Sequence, residues 1–394
     1  MADYSIDEDY EDVESGNLSD EEDIKNVDTK SIIVYARDWT IDTLCKQIER
    51  GNINLNPAFQ RRNAWNDDKR SKLIESIMIG YPVPEIILAE DMERKRTFIV
   101  IDGKQRILTL AGFINPEKYK YWDNPKLKGL KILKDFNGKT YQDFNSNFEI
   151  KTEFENSSLR CSVITNYKNK NGDDSVLYDL FYRLNSGSVK LSTQELRQSL
   201  YIGDFSNWLI SITSIKSEIH QVMKLSMADK RMRDAEMLLR LLAFKMNAKQ
   251  YKGNLKQFLD DSMRDFNSNW VKLQQTIEDN YKEIIEALKK LHAVFGDFDK
   301  VGRRYINNEY EKKFNRVILE VQVLYFIQIP KQNNIEINKS KFIDLYKKLC
   351  NDTDFRRAVE GSTKTVESYN IRYNKFLNIM QDAFVYDFKN PLLQ

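Results

Sequence analysis

Residues 97–113 read TFIVIDGKQRILTLAGF. The first five are apolar and mostly β-branched, the composition of a buried strand. Asp102-Gly103 stops that run, because glycine accepts the positive-φ turn that other residues resist. From Ile107 the apolar residues Ile107, Leu108, Leu110, Ala111 and Phe113 recur at helical spacing. Lys104, Gln105 and Arg106 therefore fall where a strand hands over to a helix. The open amides of a first helical turn favour an anion at such a point. Two cations and an amide side chain there form a candidate phosphate clamp. An ordinary corner with solvated charges explains the same residues without a ligand.

Upstream, residues 31–36 read as an edge strand and 40–49 as a short amphipathic helix. Asn56-Pro57 opens an extended loop, because the residue before proline is pushed out of the helical region. That loop carries Gln60, Arg61 and Arg62, with Trp65 following. Asn66 or Asp67 caps a helix whose apolar face is Leu73, Ile74, Ile77 and Met78, and Gly80 ends it. A Pro-containing lead, residues 81–84, enters a strand at 85–89. A hairpin tip at 91–96 then returns the chain to the strand 97–101.

This order, helix, Pro-containing lead, strand, hairpin, strand and then D-G-x-x-R opening a helix, resembles the ParB/sulfiredoxin fold. Within it, NPAFQRRNAW and IDGKQRILTL closely resemble the N-terminal domain of GmrSD-type restriction enzymes. The usual core motif of that family is D-G-Q-Q-R. Asp102, Gly103, Gln105 and Arg106 match it, and Lys104 stands where the first glutamine is expected. That exchange keeps a donor and adds charge, so phosphate binding survives it while any hydrolytic role of that glutamine does not carry over.

Downstream, residues 115–157 show no readable period. Gly138-Lys139-Thr140 ends like a phosphate-binding loop, but Leu133 stands where the first glycine is required. Residues 159–165 alternate loosely and read as a strand returning to the sheet. Val176, Leu177, Leu180, Phe181 and Leu184 make a helical stripe that Asn185-Ser186-Gly187 ends. Ser192-Thr193-Gln194-Glu195 is a capping box for the next helix. FYRLNSG followed by LSTQELR resembles the second signature of the same family, which makes Arg183, Asn185 and Arg197 candidates for the same pocket. Asn185 and Glu195 serve helix ends equally well.

From about Phe205 the pattern is helical to the end, with helices expected at 255–263, 270–295, 316–327, 341–349 and 366–384, and another around 237–244. The expected fold is α+β: a ParB/sulfiredoxin-like small sheet with helices, followed by an all-α C-terminal domain. The expected divisions are an acidic disordered tail over 1–30, a nucleotide-binding domain over 31–205 and a helical domain over 206–394.

Charge is unevenly spread. Residues 1–30 carry a net charge of −10 and the remaining chain +12. So acidic a tail lacks the apolar surface to offset its ordering entropy. The basic body points to a polyanion partner. Arg303 and Arg304 beside Tyr305 give a weak nucleic-acid signal, to which a solvated helix end is the plainer alternative. No run of 18 apolar residues is present, so no membrane contact is expected. Cys45, Cys161 and Cys350 lie far apart without CxxC spacing, which fits a reducing compartment and a cytoplasmic location.

The only histidines, His220 and His292, have no partner at ligand spacing, which argues against a histidine–metal nuclease. They read as partly buried or surface residues. The HNH nuclease half of full GmrSD-type proteins has no counterpart in the C-terminal sequence. A sulfiredoxin-like reductase needs a reactive cysteine at the corner, and residues 103–106 contain none. What the resemblance implies is nucleotide chemistry. Gly103, Lys104 and Arg106 would hold a nucleoside triphosphate, with Lys104 and Arg106 offsetting charge that develops on the transferred phosphoryl group, Asp102 would hold Mg²⁺ or a water, and Gln105 would orient the attacking water. Gln60, Arg61, Arg183 and Asn185 would complete the nucleotide-binding wall. DNA is the expected partner, in defence against foreign DNA or in a mobile element. Two readings stay open: an NTP-hydrolysing protein, or a non-catalytic nucleotide- or DNA-binding module that recruits a separate nuclease.

Overall fold

The computed structural model describes residues 32–53, 65–91, 94–120, 122, 124–166, 176–177, 180, 192–330, 338–361, 363–384 and 386–393. The chain divides into two compact units whose boundary falls between Ile202 and Gly203. The first is α+β and the second is almost wholly helical.

In the first unit, β1 (Ile33–Ala36) and the two-residue β2 (Trp39–Thr40) precede α1 (Ile41–Glu49). Thr40 caps α1 by accepting from the Thr43 amide at 3.1 Å. α2 (Asp67–Met78) starts behind Asn66, whose side-chain oxygen accepts from the Lys69 amide at 3.0 Å. The hairpin β3 (Ile86–Glu90) and β4 (Phe98–Asp102) then delivers the chain to α3 (Lys104–Ile114). α4 (Tyr141–Phe144), α5 (Phe148–Asn156), β5 (Ser158–Leu159), β6 (Cys161–Thr165) and α6 (Thr193–Leu200) follow.

The main sheet has the order β1-β6-β3-β4, with β6 antiparallel to β1 and parallel to β3. The stretch expected as one strand at 159–165 is split. Leu159 pairs with Trp39 in a separate two-strand ladder, and only Cys161–Thr165 joins the main sheet. Alternation along the strands feeds two cores. Ile86, Leu88, Phe98, Val100 and Val163 pack on one side with α1, α2 and α3. Ile87, Ala89, Ile101 and Ile164 pack on the other with Leu196 of α6. Burial on both faces is why these strands read as unbroken apolar runs.

Residues 115–157 hide their order from any periodicity because aromatic rings and single side chains organise them. Phe113 of α3 lies 5.8 Å from Trp122, 5.6 Å from Phe144 and 5.9 Å from Phe154, ring centre to ring centre. The buried Glu75 of α2 accepts from the amides of Ile132 and Leu133 at 2.8 and 2.9 Å. Thr140 of the Gly-Lys-Thr run caps α4.

The second unit contains α7 (Asp204–Thr213), α8 (Glu218–Val222), α9 (Arg233–Asn247), α10 (Leu255–Ser268) and α11 (Trp270–Phe295). A small hairpin, β7 (Tyr305–Ile306) and β8 (Glu309–Tyr310), precedes α12 (Arg316–Phe326). α13 (Lys339–Cys350), α14 (Thr353–Glu360) and α15 (Val366–Ala383) follow. The hairpin departs from an all-helical reading. Its turn is Asn307-Asn308 with both residues at positive φ, and asparagine tolerates that geometry. Glu320 of α12 is fully buried, accepts from Tyr369 and Tyr373 of α15, and is ion-paired with Arg240 of α9. Among the described residues no helix is long and apolar enough to cross a membrane.

Phe113→Ala removes the ring at the centre of the aromatic cluster and is expected to lower stability by about 3–5 kcal/mol. Phe148→Ala, at a side chain 83% exposed, is expected to leave stability unchanged. Urea unfolding followed by tryptophan fluorescence distinguishes the two.

Candidate functional site

The corner between β4 and α3 is built from opposing constraints. Gly103 sits at φ +90° and ψ 7°, in the left-handed region. A Cβ there would lie 3.0 Å from Ile86 Cγ1, 3.2 Å from Ile86 Cα and 3.1 Å from an Arg106 nitrogen. Both the backbone angle and the packing therefore demand glycine. Behind it α3 starts with no side-chain cap and no acidic residue in its first turn. The helix dipole disfavours cations at exactly that end, yet Lys104 and Arg106 occupy it.

Arg106 is tied into the corner. Its Nη2 donates to Asp102 Oδ2 at 3.0 Å and to the Glu85 carbonyl at 2.9 Å, joining the start of β3 to the end of β4. Its buried Nε has no hydrogen-bond partner among the described residues. The Asp102 side chain is 38% exposed, so a carboxylate oxygen remains available beside the pair. Gln105 Oε1 is a buried acceptor without a hydrogen-bond partner among the described residues.

Lys104 is the electrostatic anomaly. Some of its surface stays accessible, but the surroundings strip water from the ammonium and push its pKa well below the usual lysine range. The Glu195 carboxylate pulls it partly back up. Glu195 has a second task, because its Oε2 accepts from the Ser192 amide at 2.5 Å in the capping box of α6. Capping and charge compensation thus coexist in one side chain. α6 also buries Gln194, Arg197 and Gln198, with Arg197 Nη1 donating to Gln194 Oε1 at 2.6 Å. Spacing alone could not reveal this buried polar stripe, since a polar helix face ordinarily reads as solvated. The corner's dependence on the Glu85 carbonyl and on Ile86 likewise has no sequence signal.

The structure brings Asp102, Gly103, Lys104, Gln105 and Arg106 together at one corner. Gln60, Arg61, Arg183 and Asn185 lie outside the described residues. Arg303 and Arg304 require correction as nucleic-acid contacts. Arg303 is fully buried, and its Nη1 donates to the carbonyls of Val222, Phe298 and Val301. Arg304 is largely buried and paired with Glu311 and Glu360. Neither forms a solvated helix end, since both lie in the loop before β7.

The other expected chemistries can be located as well. His220, expected as a partly buried or surface residue, is fully buried. Its Nδ1 accepts from the Ser217 amide at 3.1 Å, and its Nε2 faces Asp234 and the Thr213 carbonyl. Burial pushes the thiols of Cys45 and Cys161 up to about 12 and that of Cys350 up to about 11, so all three stay protonated at neutral pH. Among the described residues no group of three or more His, Cys, Asp or Glu side chains is placed to hold a metal. A magnesium ion carried by a polyphosphate needs only one or two protein carboxylates, and Asp102 fits that requirement.

A two-core α+β unit with a D-G-x-Q-R corner at an open helix start defines the class of this domain. Residues 41–202 match the family model described as the N-terminal domain of the GmrSD restriction endonuclease. Comparison with curated proteins and with solved structures finds no match.

Gly103→Ala is expected to lower stability by at least about 1–2 kcal/mol through the left-handed backbone alone. Lys104→Met is expected to raise it. The folded state holds the lysine pKa below its unfolded value, so the unfolded chain binds the extra proton. The penalty is complete below the lowered pKa and fades as pH rises towards the ordinary value of 10.5. Melting temperatures of wild type and Lys104→Met should therefore differ most below the lowered pKa and converge in alkali.

Proposed function

We propose that the β4–α3 corner binds the phosphates of a nucleoside triphosphate carried with Mg²⁺, and that the protein acts on or senses DNA in defence against foreign DNA. The observation that carries this reading is Lys104, a desolvated cation at the uncapped N-terminus of α3. An anion placed there would stabilise the protonated lysine and meet the open amides of the helix start. Restriction is what the family description of residues 41–202 names, and it supports the defence role.

In this reading the first-turn amides and Lys104 hold the polyphosphate. Arg106 fixes Asp102, whose remaining oxygen would hold the magnesium ion or one of its waters. Gln105 Oε1, an acceptor in search of a donor, orients the water that attacks the terminal phosphoryl group. Gln60, Arg61, Arg183 and Asn185 are the further nucleotide contacts the family resemblance implies.

Nucleotide binding and phosphate release by the purified protein, with and without DNA, test this assignment. Lys104→Met is expected to fold and to bind at least about tenfold more weakly, the worth of one charge-assisted contact. Because it is also expected to melt higher than wild type, lost binding cannot be ascribed to unfolding. Gln105→Ala is expected to bind but to release phosphate about a hundredfold more slowly. Wild-type affinity should be highest below the lowered Lys104 pKa and weaken above it, since phosphate binding then requires proton uptake. Binding without release identifies a nucleotide-gated module that recruits a separate nuclease. Absence of any nucleotide binding overturns the assignment.

A further inference from the structure

We infer that residues 124–139 form a rigid, lysine-bearing loop that docks on the phosphate backbone of duplex DNA. The segment NPKLKGLKILKDFNGK holds five lysines and one aspartate. All five, Lys126, Lys128, Lys131, Lys134 and Lys139, are exposed. Concentrated like charge on a loop is normally spread by mobility, but here the backbone is pinned.

The legs of the loop bond to each other through Leu127 N to the Lys139 carbonyl at 2.9 Å and Gly138 N to the Leu127 carbonyl at 2.6 Å. Asn137 bridges them again, accepting from the Leu130 amide at 3.0 Å. The tip is held by the buried Glu75, which takes the amides of Ile132 and Leu133, and the near leg by Ser71, which takes the Lys128 amide at 3.0 Å. Leu127 and Leu130 are buried beneath. A polar glutamate committed to positioning two loop amides is an unusual use of a core position. Its effect is to present the lysines at fixed places.

Among the described residues, only Lys128 of this set makes an ion pair, with Asp67 at 3.2 Å. Lys126 and Lys139 stand close enough that both act on the carboxyl of Asp143, which is held down first by the Thr140 amide and hydroxyl. Asp143 Oδ2 is therefore committed to a helix cap, taking both the Thr140 amide and hydroxyl. Lysine is a compact point charge suited to phosphate. A rigid array gains counterion-release energy without the entropy a mobile loop would lose. A membrane surface fits less well, because the loop exposes a single large apolar side chain, Ile132, and carries no amphipathic helix.

This inference rests on the reading of the protein as one that acts on DNA, and it is independent of the nucleotide corner. The test is the salt dependence of binding to a short fluorescent duplex. The chain carrying Lys126→Gln, Lys131→Gln, Lys134→Gln and Lys139→Gln is compared with wild type and with a Lys341→Gln, Lys348→Gln control on α13. The loop variant is expected to bind at least about tenfold more weakly near 0.1 M salt, with a log–log salt slope shallower by about 2–4. The control and the melting temperature should stay close to wild type. A loop variant that binds duplex as wild type does overturns the loop while leaving the DNA reading intact. A wild type that binds no duplex, with or without nucleotide, overturns both. Loss of binding to phosphatidylserine vesicles without loss of DNA binding assigns the loop to membranes instead.

Discussion

The first unit depends on how closely two strands are held at one point. Arg106 reaches back from the first turn of α3 to grip the Asp102 carboxylate and the Glu85 carbonyl, while Gly103 lies against Ile86. The grip fixes where β3 enters the sheet and where α3 leaves it. From that direction α3 buries Ile107, Leu108, Leu110, Ala111 and Phe113, and Phe113 in turn nucleates the aromatic cluster that organises the chain up to α5. A one-atom glycine side chain therefore governs packing far beyond its own contacts.

The same grip divides labour among charges that look equivalent in sequence. Arg106 and Lys104 are two residues apart, yet one is ion-paired with Asp102 and the other is desolvated, with the Glu195 carboxylate pulling its pKa partly back up. A cation whose field is already consumed makes a poor ligand but a good brace. The second unit shows the bracing use taken further. Glu320 gathers Arg240, Tyr369 and Tyr373 from two neighbouring helices in a fully buried polar knot, and Arg303 Nη1 donates to three backbone carbonyls.

Much of this was legible in the residues. The strand, the Gly103 turn and the helix behind it follow from apolar spacing and a single breaker. The capping box at Ser192 and the long helix Trp270–Phe295 follow from composition. Charged residues were read less well. Arg303 and Arg304 sit in a loop that looks solvent-facing until α12, α13 and α14 close around it, and no local pattern announces that closure. Residues 115–157 failed for a related reason: Glu75 and Phe113 reach them from helices far away in sequence. The Asn307-Asn308 turn, by contrast, carried a usable hairpin signal.

The three cysteines, placed on unrelated elements, share a buried and protonated state. The thiolate is the species that peroxide and electrophiles attack, and none of the three supplies it at neutral pH. A burst of oxidant would thus find no ready target among these thiols.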